Sequence, residues 1–233
     1  MKIKDALFHE RWTCNVCNKE IFSGYFCEEC LQKIEKISTS KCKHCGRVTP
    51  YPVNFCDNCI EKNVNFNIAR SVFNYEPPIS YLIQNFKYKN QKYHKRYFAE
   101  ELFNLYKSEK LNCDVICFVP MTEERFNQTG YNHAELLSQE FSNLSKIPIV
   151  DALQKIKETP RQATLSLSER LKNLKSAFKV KGKLIKDKKV LIIDDVLTTG
   201  ATCDTISKLL KKNGATKICV LTVASVSKYD KIT

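Results

Sequence analysis

The stretch Val190-Leu191-Ile192-Ile193-Asp194-Asp195-Val196-Leu197-Thr198-Thr199-Gly200-Ala201-Thr202 decides the fold. Its four leading apolar residues have the length of one strand buried on both faces of a parallel sheet. Two adjacent acids follow at the strand's carboxyl end, then a small, hydroxyl-rich turn. Beyond the turn, Ile206, Leu209 and Leu210 recur at helical spacing. The backbone N–H groups of such a turn, together with the helix N-terminus, attract an anion. The Thr hydroxyls add donors, and Gly200 lets the backbone approach closely. Asp194 and Asp195 cannot hold a phosphate directly; they suit sugar hydroxyls or a hydrated Mg²⁺. One ligand that satisfies both halves is a ribose carrying a 5′-phosphate. A P-loop is excluded, because no Gly-x-x-x-x-Gly-Lys stretch exists.

Working outward, the pattern of strands and helices continues on both sides. Asn213-Gly214 closes the helix, and Lys217 to Val226 reads as the next buried strand. Upstream, Cys113 to Val119 reads as a strand ending at Pro120, and Pro120-Met121-Thr122 falls at its carboxyl end, where open α/β sheets bind ligands. Arg125 lies just beyond and is either an anion contact or a solvated arginine at a helix end. Leu136, Leu137, Phe141 and Leu144 mark an amphipathic helix. Ile68 to Tyr75 reads as a strand ended by Pro77-Pro78, with Pro78 opening a helix through Ile79, Leu82, Ile83 and Phe86. That helix is expected to continue through Phe98, Leu102, Phe103 and Leu105. Residues 63–233 are therefore expected to form an α/β domain, a mostly parallel sheet flanked by helices.

Residues 1–62 form a different unit, with four Cys-x-x-Cys pairs: Cys14/Cys17, Cys27/Cys30, Cys42/Cys45 and Cys56/Cys59. Each pair can place two thiolates on one tetrahedral Zn²⁺. Sequential pairing gives one site from Cys14, Cys17, Cys27 and Cys30 and a second from Cys42, Cys45, Cys56 and Cys59. A cross-braced pairing fits the spacing as well. Four thiolates leave no open position for water, so these sites read as structural zinc ribbons whose folding depends on the metal. No flanking βαβ pattern supports a redox dithiol. Cys113, Cys117 and Cys219 sit in strand-like settings and read as packing residues. Cys203 begins the helix after the Thr/Gly turn, where a thiol pKa can be lowered. His44 lies inside a knuckle and could at most replace one thiolate.

The net charge of +13 fits either simple solubility or a polyanionic partner such as nucleic acid. Two segments concentrate the surplus. Phe86 to Tyr97 interleaves Lys87, Lys89, Lys92, Lys95 and Arg96 with four aromatic residues. A basic groove with stacking rings suits single-stranded nucleic acid; buried rings with solvent-facing bases would give the same pattern. Residues 155–189 carry twelve bases, Arg161 and Arg170 among them, against Glu158, Glu169 and Asp187. Within them, Thr159 to Thr164 has no apolar periodicity and reads as a mobile loop. No apolar run reaches membrane-spanning length, and no apolar core follows Met1-Lys2-Ile3-Lys4-Asp5, so a cytoplasmic chain without membrane insertion is expected.

From Val190 to Thr202 the chain resembles the type I phosphoribosyltransferases, whose fingerprint is an apolar strand, two acids, two more mostly apolar residues and a Thr-Thr-Gly-x-Thr-like loop. Lys87, Val119-Pro120, Arg125, Gly130-Tyr131-Asn132, Gln162, Arg170, Asn173 and Phe178 narrow the resemblance to the ComF family of competence proteins. That family joins an N-terminal zinc-ribbon region to a phosphoribosyltransferase domain, and the resemblance covers nearly the whole chain. It implies 5-phosphoribosyl-1-pyrophosphate with Mg²⁺ as ligand. The 5′-phosphate would lie on Thr198, Thr199, Gly200, Ala201 and Thr202, with Asp194 and Asp195 as the catalytic acids at the ribose. Pyrophosphate would lie at Pro120, Met121, Thr122 and Glu123, with Arg125 beside it, under a lid at Thr159–Thr164. One departure is visible: the family usually has an Arg just before the Gly of Gly130-Tyr131-Asn132, and here it is Thr129. The resemblance further implies handling of single-stranded DNA in natural transformation, alongside DNA-uptake or helicase machinery, with Lys87, Lys89, Lys92, Lys95, Arg96, Arg161 and Arg170 as candidate DNA contacts. Two activities stay open: a phosphoribosyltransferase (a glycosyltransferase) with an unknown acceptor, or a ligand sensor or regulator of that fold without catalysis.

Overall fold

The computed structural model describes residues 12–37, 40–157 and 176–226. The expected lid at Thr159–Thr164, and with it Arg161, Gln162, Arg170 and Asn173, lies outside the described residues. In chain order the elements are β1 (Trp12–Thr13), β2 (Glu20–Ile21), α1 (Glu28–Leu31), α2 (Asp57–Lys62), β3 (Ile68–Asn74), α3 (Ile79–Tyr88), α4 (His94–Ser108) and β4 (Val115–Phe118). Then follow α5 (Glu123–Thr129), α6 (His133–Ser145), β5 (Leu153–Lys155), β6 (Phe178–Val180), β7 (Lys189–Leu197), α7 (Ala201–Lys212) and β8 (Lys217–Ser225).

Four strands form one parallel sheet in the order β3-β8-β7-β4. The strand period of two sends Val190 and Ile192 to one face and Leu191 and Ile193 to the other. Cys203, Ile206 and Leu210 of α7 cover the first face. Leu82 and Phe86 of α3, Phe98 and Leu102 of α4, and Leu137 and Phe141 of α6 cover the second. With both faces buried, neither set of alternating positions can be polar, which accounts for the unbroken apolar run at 190–193. Each large side chain so buried stabilises the fold by about 1.5–3 kcal/mol.

Two elements differ from the expectation. The strand does not stop at Ile193 but runs to Leu197, because β8 continues to pair with it through Asp194↔Thr222 and Leu197↔Ser225. The expected single helix from Ile79 onward is interrupted between Tyr88 and His94, where Asn90 takes a positive φ of 55°. Asn tolerates that left-handed conformation better than most residues. Among the described residues, no helix is long and apolar enough to cross a membrane.

The eight N-terminal cysteines of the pairs gather sequentially, not cross-braced: Cys14, Cys17, Cys27 and Cys30 in one cluster, Cys42, Cys45, Cys56 and Cys59 in the other. In the second cluster Sγ–Sγ separations are 3.7 Å for Cys45–Cys56 and Cys56–Cys59 and 4.0 Å for Cys42–Cys59. Four thiolates about 2.3 Å from a tetrahedral Zn²⁺ stand about 3.8 Å apart. Both clusters therefore have the composition, and the second the measured spacing, to bind zinc. His44 supplies no ligand; its ring stacks on Phe66.

The first cluster rests on α4 through Tyr25 and Phe26, whose rings lie 5.0 and 4.8 Å from that of Tyr97. The second is continuous with the sheet's own core, packed with Phe66, Ala69, Leu197, Cys203 and Ile206. Its knuckle also bonds to β3: the Ala69 N–H donates to the His44 carbonyl at 2.9 Å, and the Arg70 guanidinium to the Lys43 carbonyl at 2.9 Å. Gly46 makes this approach possible. It has φ +72°, and a Cβ there would lie 2.6 Å from the Ala69 carbonyl oxygen. Gly46→Ala combines that clash with backbone strain and is expected to cost about 2–4 kcal/mol. A chemical-denaturation midpoint equal to that of the parent would contradict this reading of the knuckle.

Candidate functional site: an acidic pair beside a phosphate-type loop

The acids sit where pairing becomes one-sided. β4 pairs with β7 as far as Phe118↔Ile193, whereas β8 accompanies β7 to Leu197. Asp194 and Asp195 are therefore held on rigid strand backbone beside the end of β4. They line a cavity of about 180 Å³ with Lys87, Pro120, Arg125 and Thr202. In the turn after β7, Gly200 takes φ 78° and caps α7 at its N-terminus. Thr198 and Thr199 are exposed, and the Thr199 hydroxyl accepts from the Ala201 N–H at 3.4 Å.

Lys87, near the end of α3, reaches into this cavity, its Nζ 2.7 Å from Asp195 Oδ1. Burial works against its charge, but Asp195, with Asp194 behind it, holds the ammonium pKa above its ordinary value. Asp194 responds in the opposite sense. Burial, then the neighbouring Asp195 charge, pushes its carboxyl up to about 7, against which the Lys87 charge acts. The pair is thus one acid that holds its proton up toward neutral pH and one ion-paired acid. Cys203 stands at the start of α7, where a thiol pKa can be lowered, but it is buried, and burial pushes its thiol well above the ordinary range.

The turn after β4 divides. Pro120, Met121 and Arg125 line the cavity of the acids. Thr122 caps α5, accepting from the Arg125 N–H at 3.4 Å, and with Glu123 lines a neighbouring cavity of about 790 Å³. Pro120, Met121, Asn132 and Lys155 border both cavities. The Gly130-Tyr131-Asn132 element acts as a brace. The Tyr131 hydroxyl donates to the Phe86 carbonyl at 2.6 Å, and His133 Nε2 lies 3.1 Å from the Lys87 carbonyl. Asn132 caps α6 and donates to the Val119 carbonyl at 3.0 Å. One short segment thereby ties the end of α3, and so Lys87, to the end of β4. Thr129, in the place of the family's usual Arg, uses its hydroxyl to bond the Arg125 carbonyl, 2.9 Å away.

The basic segment at 86–97 splits along its structure. Lys87 turns inward, Lys95 pairs with Glu140 at 2.8 Å and Arg96 with Glu100 at 3.2 Å. Phe86 and Tyr97 are buried, whereas Tyr88 and Tyr93 are exposed, as are Lys89 and Lys92. Lys92 stands over the Tyr131 ring, 4.3 Å from its centroid. Sequence reasoning did not connect Lys87 with the acids or single out His133 and Lys155. Lys87 and His133 arrive from other elements, and nothing in the sequence around them points to the acids.

A parallel sheet, an acidic pair at its carboxyl end, and a Thr/Gly turn opening a helix define a phosphoribosyltransferase-type α/β protein, here carrying two four-cysteine clusters that can bind zinc. The model of the phosphoribosyl transferase domain matches residues 128–232. Competence protein F of Haemophilus influenzae is 34% identical over 211 residues, spanning 87% of this chain and 91% of that protein. On that similarity, the chain belongs to the competence protein F (ComF) family. DNA utilization protein YhgH of Salmonella typhimurium is 28% identical over 215 residues, 89% of this chain and 94% of that protein. Competence protein ComFC of Streptococcus pneumoniae is 27% identical over 192 residues, 81% and 82% of the two chains.

Proposed function

We propose that this chain binds 5-phosphoribosyl-1-pyrophosphate with Mg²⁺ and takes part in the uptake or use of single-stranded DNA, transferring the phosphoribosyl group to an acceptor. The observation that carries the ligand reading is the one-sided end of β7. It exposes Asp194 and Asp195 to one small cavity, with Lys87 and Arg125 as cations and Thr202 of the phosphate-type turn on its wall. In this reading the 5′-phosphate is held by the turn from Thr198 through Thr202, the ribose hydroxyls meet the acids, and the pyrophosphate lies toward Pro120, Met121 and Arg125. Thr122 and Glu123, on the far side of that turn, border the larger cavity, which has room for an acceptor. Mg²⁺ would enter with the pyrophosphate and neutralise its charge as it departs. The carboxylates would favour the positive charge that develops at the anomeric carbon. Residues 12–62 serve as a zinc-stabilised module attached to the transferase-type region beyond it.

The DNA part of the proposal rests on the printed names of the relatives, the charge of +13 and the exposed Tyr88, Tyr93, Lys89 and Lys92. Aromatic rings with neighbouring bases give sequence-tolerant stacking and a salt-dependent hold on the backbone. Lys95 and Arg96 would add to it only by giving up their acidic partners.

Labelled 5-phosphoribosyl-1-pyrophosphate incubated with zinc-loaded protein, with and without single-stranded DNA, tests the whole reading. We expect saturable binding, release of pyrophosphate and a ribosylated product, together with DNA affinity that falls steeply with salt. Binding without pyrophosphate release would assign the site to ligand sensing. Absence of binding at millimolar ligand would remove the ribose-phosphate assignment altogether.

A further inference from the structure

The second four-cysteine cluster and the phosphate-type turn are far apart in sequence and adjacent in space. Arg47 belongs to both. Its main chain wraps the cluster: two residues beyond the ligand-type Cys45, its carbonyl accepts from the Cys42 N–H at 2.8 Å. Its side chain leaves in the other direction and is buried, the residue being 6% exposed. There its Nη2 donates to the Thr198 carbonyl, the first of the turn. A Cβ on Gly200 would lie 3.4 Å from the same nitrogen, so the guanidinium sits directly against the turn. A second tether flanks it. Both the N–H and the side-chain amide of Asn65 donate to Asp204 Oδ1 in the first turn of α7, the latter at 2.8 Å.

A peptide unit is planar and, when trans, its C=O and N–H point in opposite directions. The cis bond among the described residues is Pro77-Pro78, so the Thr198–Thr199 unit is trans. Drawing the Thr198 carbonyl toward Arg47 therefore turns the Thr199 N–H away from the cluster, to the outer side where an anion would be cradled. A guanidinium stays charged at any physiological pH. Its charge behind the turn also favours a dianion in front of it.

We propose that Arg47 is a positioning residue for the phosphate-type turn, through which the second zinc-type cluster sets the shape of the ribose-phosphate site. This rests on the ligand reading above, and the test separates the two. Full-length, zinc-loaded Arg47→Ala and Arg47→Lys are compared with the parent in three measurements: metal content, hydrogen–deuterium exchange, and calorimetric titration with ribose 5-phosphate. For Arg47→Ala we expect two zinc per chain, unchanged exchange across Lys217–Ser225, and at least tenfold faster exchange across residues 197–205. Affinity for ribose 5-phosphate should fall at least tenfold, and Arg47→Lys should recover part of both losses. Parental exchange at the turn together with parental affinity would overturn the proposal. Loss of zinc in parallel with turn protection, in both variants, would also overturn it by assigning Arg47 to the cluster alone. If the parent itself binds no ribose 5-phosphate, the ligand reading fails, and the exchange rates still decide the coupling.

Discussion

Cys45→Ser is expected to abolish cooperative folding of the whole chain, whereas Cys17→Ser leaves the main unfolding transition in place. The asymmetry follows from where each cluster is packed. Cys42, Cys45, Cys56 and Cys59 belong to one buried cluster with Phe66, Leu197, Cys203 and Ile206, and so with strand β7 and helix α7. A structural zinc site contributes about 10–16 kcal/mol of binding free energy, comparable with the entire stability of a domain, about 5–15 kcal/mol. Removing one thiolate also leaves the remaining buried sulfurs crowded without a shared cation. The first cluster meets the core through partly buried side chains at its margin, Val16, Tyr25 and Phe26, and Cys17 is exposed. Its loss removes the contacts of a peripheral hairpin, β1–β2, without opening the sheet's core. Thermal unfolding followed by circular dichroism, with zinc counted in the same samples, checks the contrast. A Cys45→Ser protein that retained a sharp transition near the parental temperature would show that the second cluster is dispensable for the core.

The site was legible in the sequence to the extent that its parts are local. The run from Val190 to Thr202 carries strand, acids, turn and helix within one segment, and each part announces itself through hydrophobic period or turn chemistry. The cysteine pairs were legible for the same reason, but their grouping was not, since both pairings fit the spacing. What stayed hidden depends on chain segments that meet only after folding. Lys87 read as one base in a basic, aromatic stretch, because its neighbours Lys89 and Lys92 have the same composition and a different exposure. Arg47 is separated from Thr198 by 151 positions, and no pattern connects a base in a zinc knuckle with a turn in a sheet. The extension of β7 through its acids was hidden too, because only its pairing with β8 makes a strand of Asp194 and Asp195.

Lys87→Met and Asp194→Asn should move stability in opposite directions while both weaken ligand binding. Lys87 and Asp195 form an ion pair whose side chains are 18% and 10% exposed. Removing the cation leaves Asp195 beside Asp194 without its ion-pair partner. Breaking a fully buried pair costs about 3–5 kcal/mol, and partial exposure lowers the expected loss here to about 2–4 kcal/mol. Asp194→Asn does the reverse. The folded chain keeps the Asp194 proton to about pH 7, whereas the ordinary value is 3.8. Stability is therefore fully present below the ordinary value and falls as pH rises through that interval. The amide cannot ionise, yet its oxygen can still accept from the Asp195 N–H that Asp194 Oδ1 now receives at 2.9 Å. Ligand-free Asp194→Asn should be more stable than the parent at pH 8 by about 1–2 kcal/mol, with the difference vanishing toward pH 4. Melting curves from pH 4 to pH 8 without ligand or Mg²⁺ measure this directly, and a pH-independent difference would refute the assignment to Asp194 ionisation. The same Lys87→Met protein also separates the two binding surfaces. Lys87 faces the acids, so the salt dependence of single-stranded DNA binding should be unchanged. A slope reduced by about 0.7, the share of one phosphate contact, would return Lys87 to the DNA surface and leave Asp195 paired only in the unliganded chain.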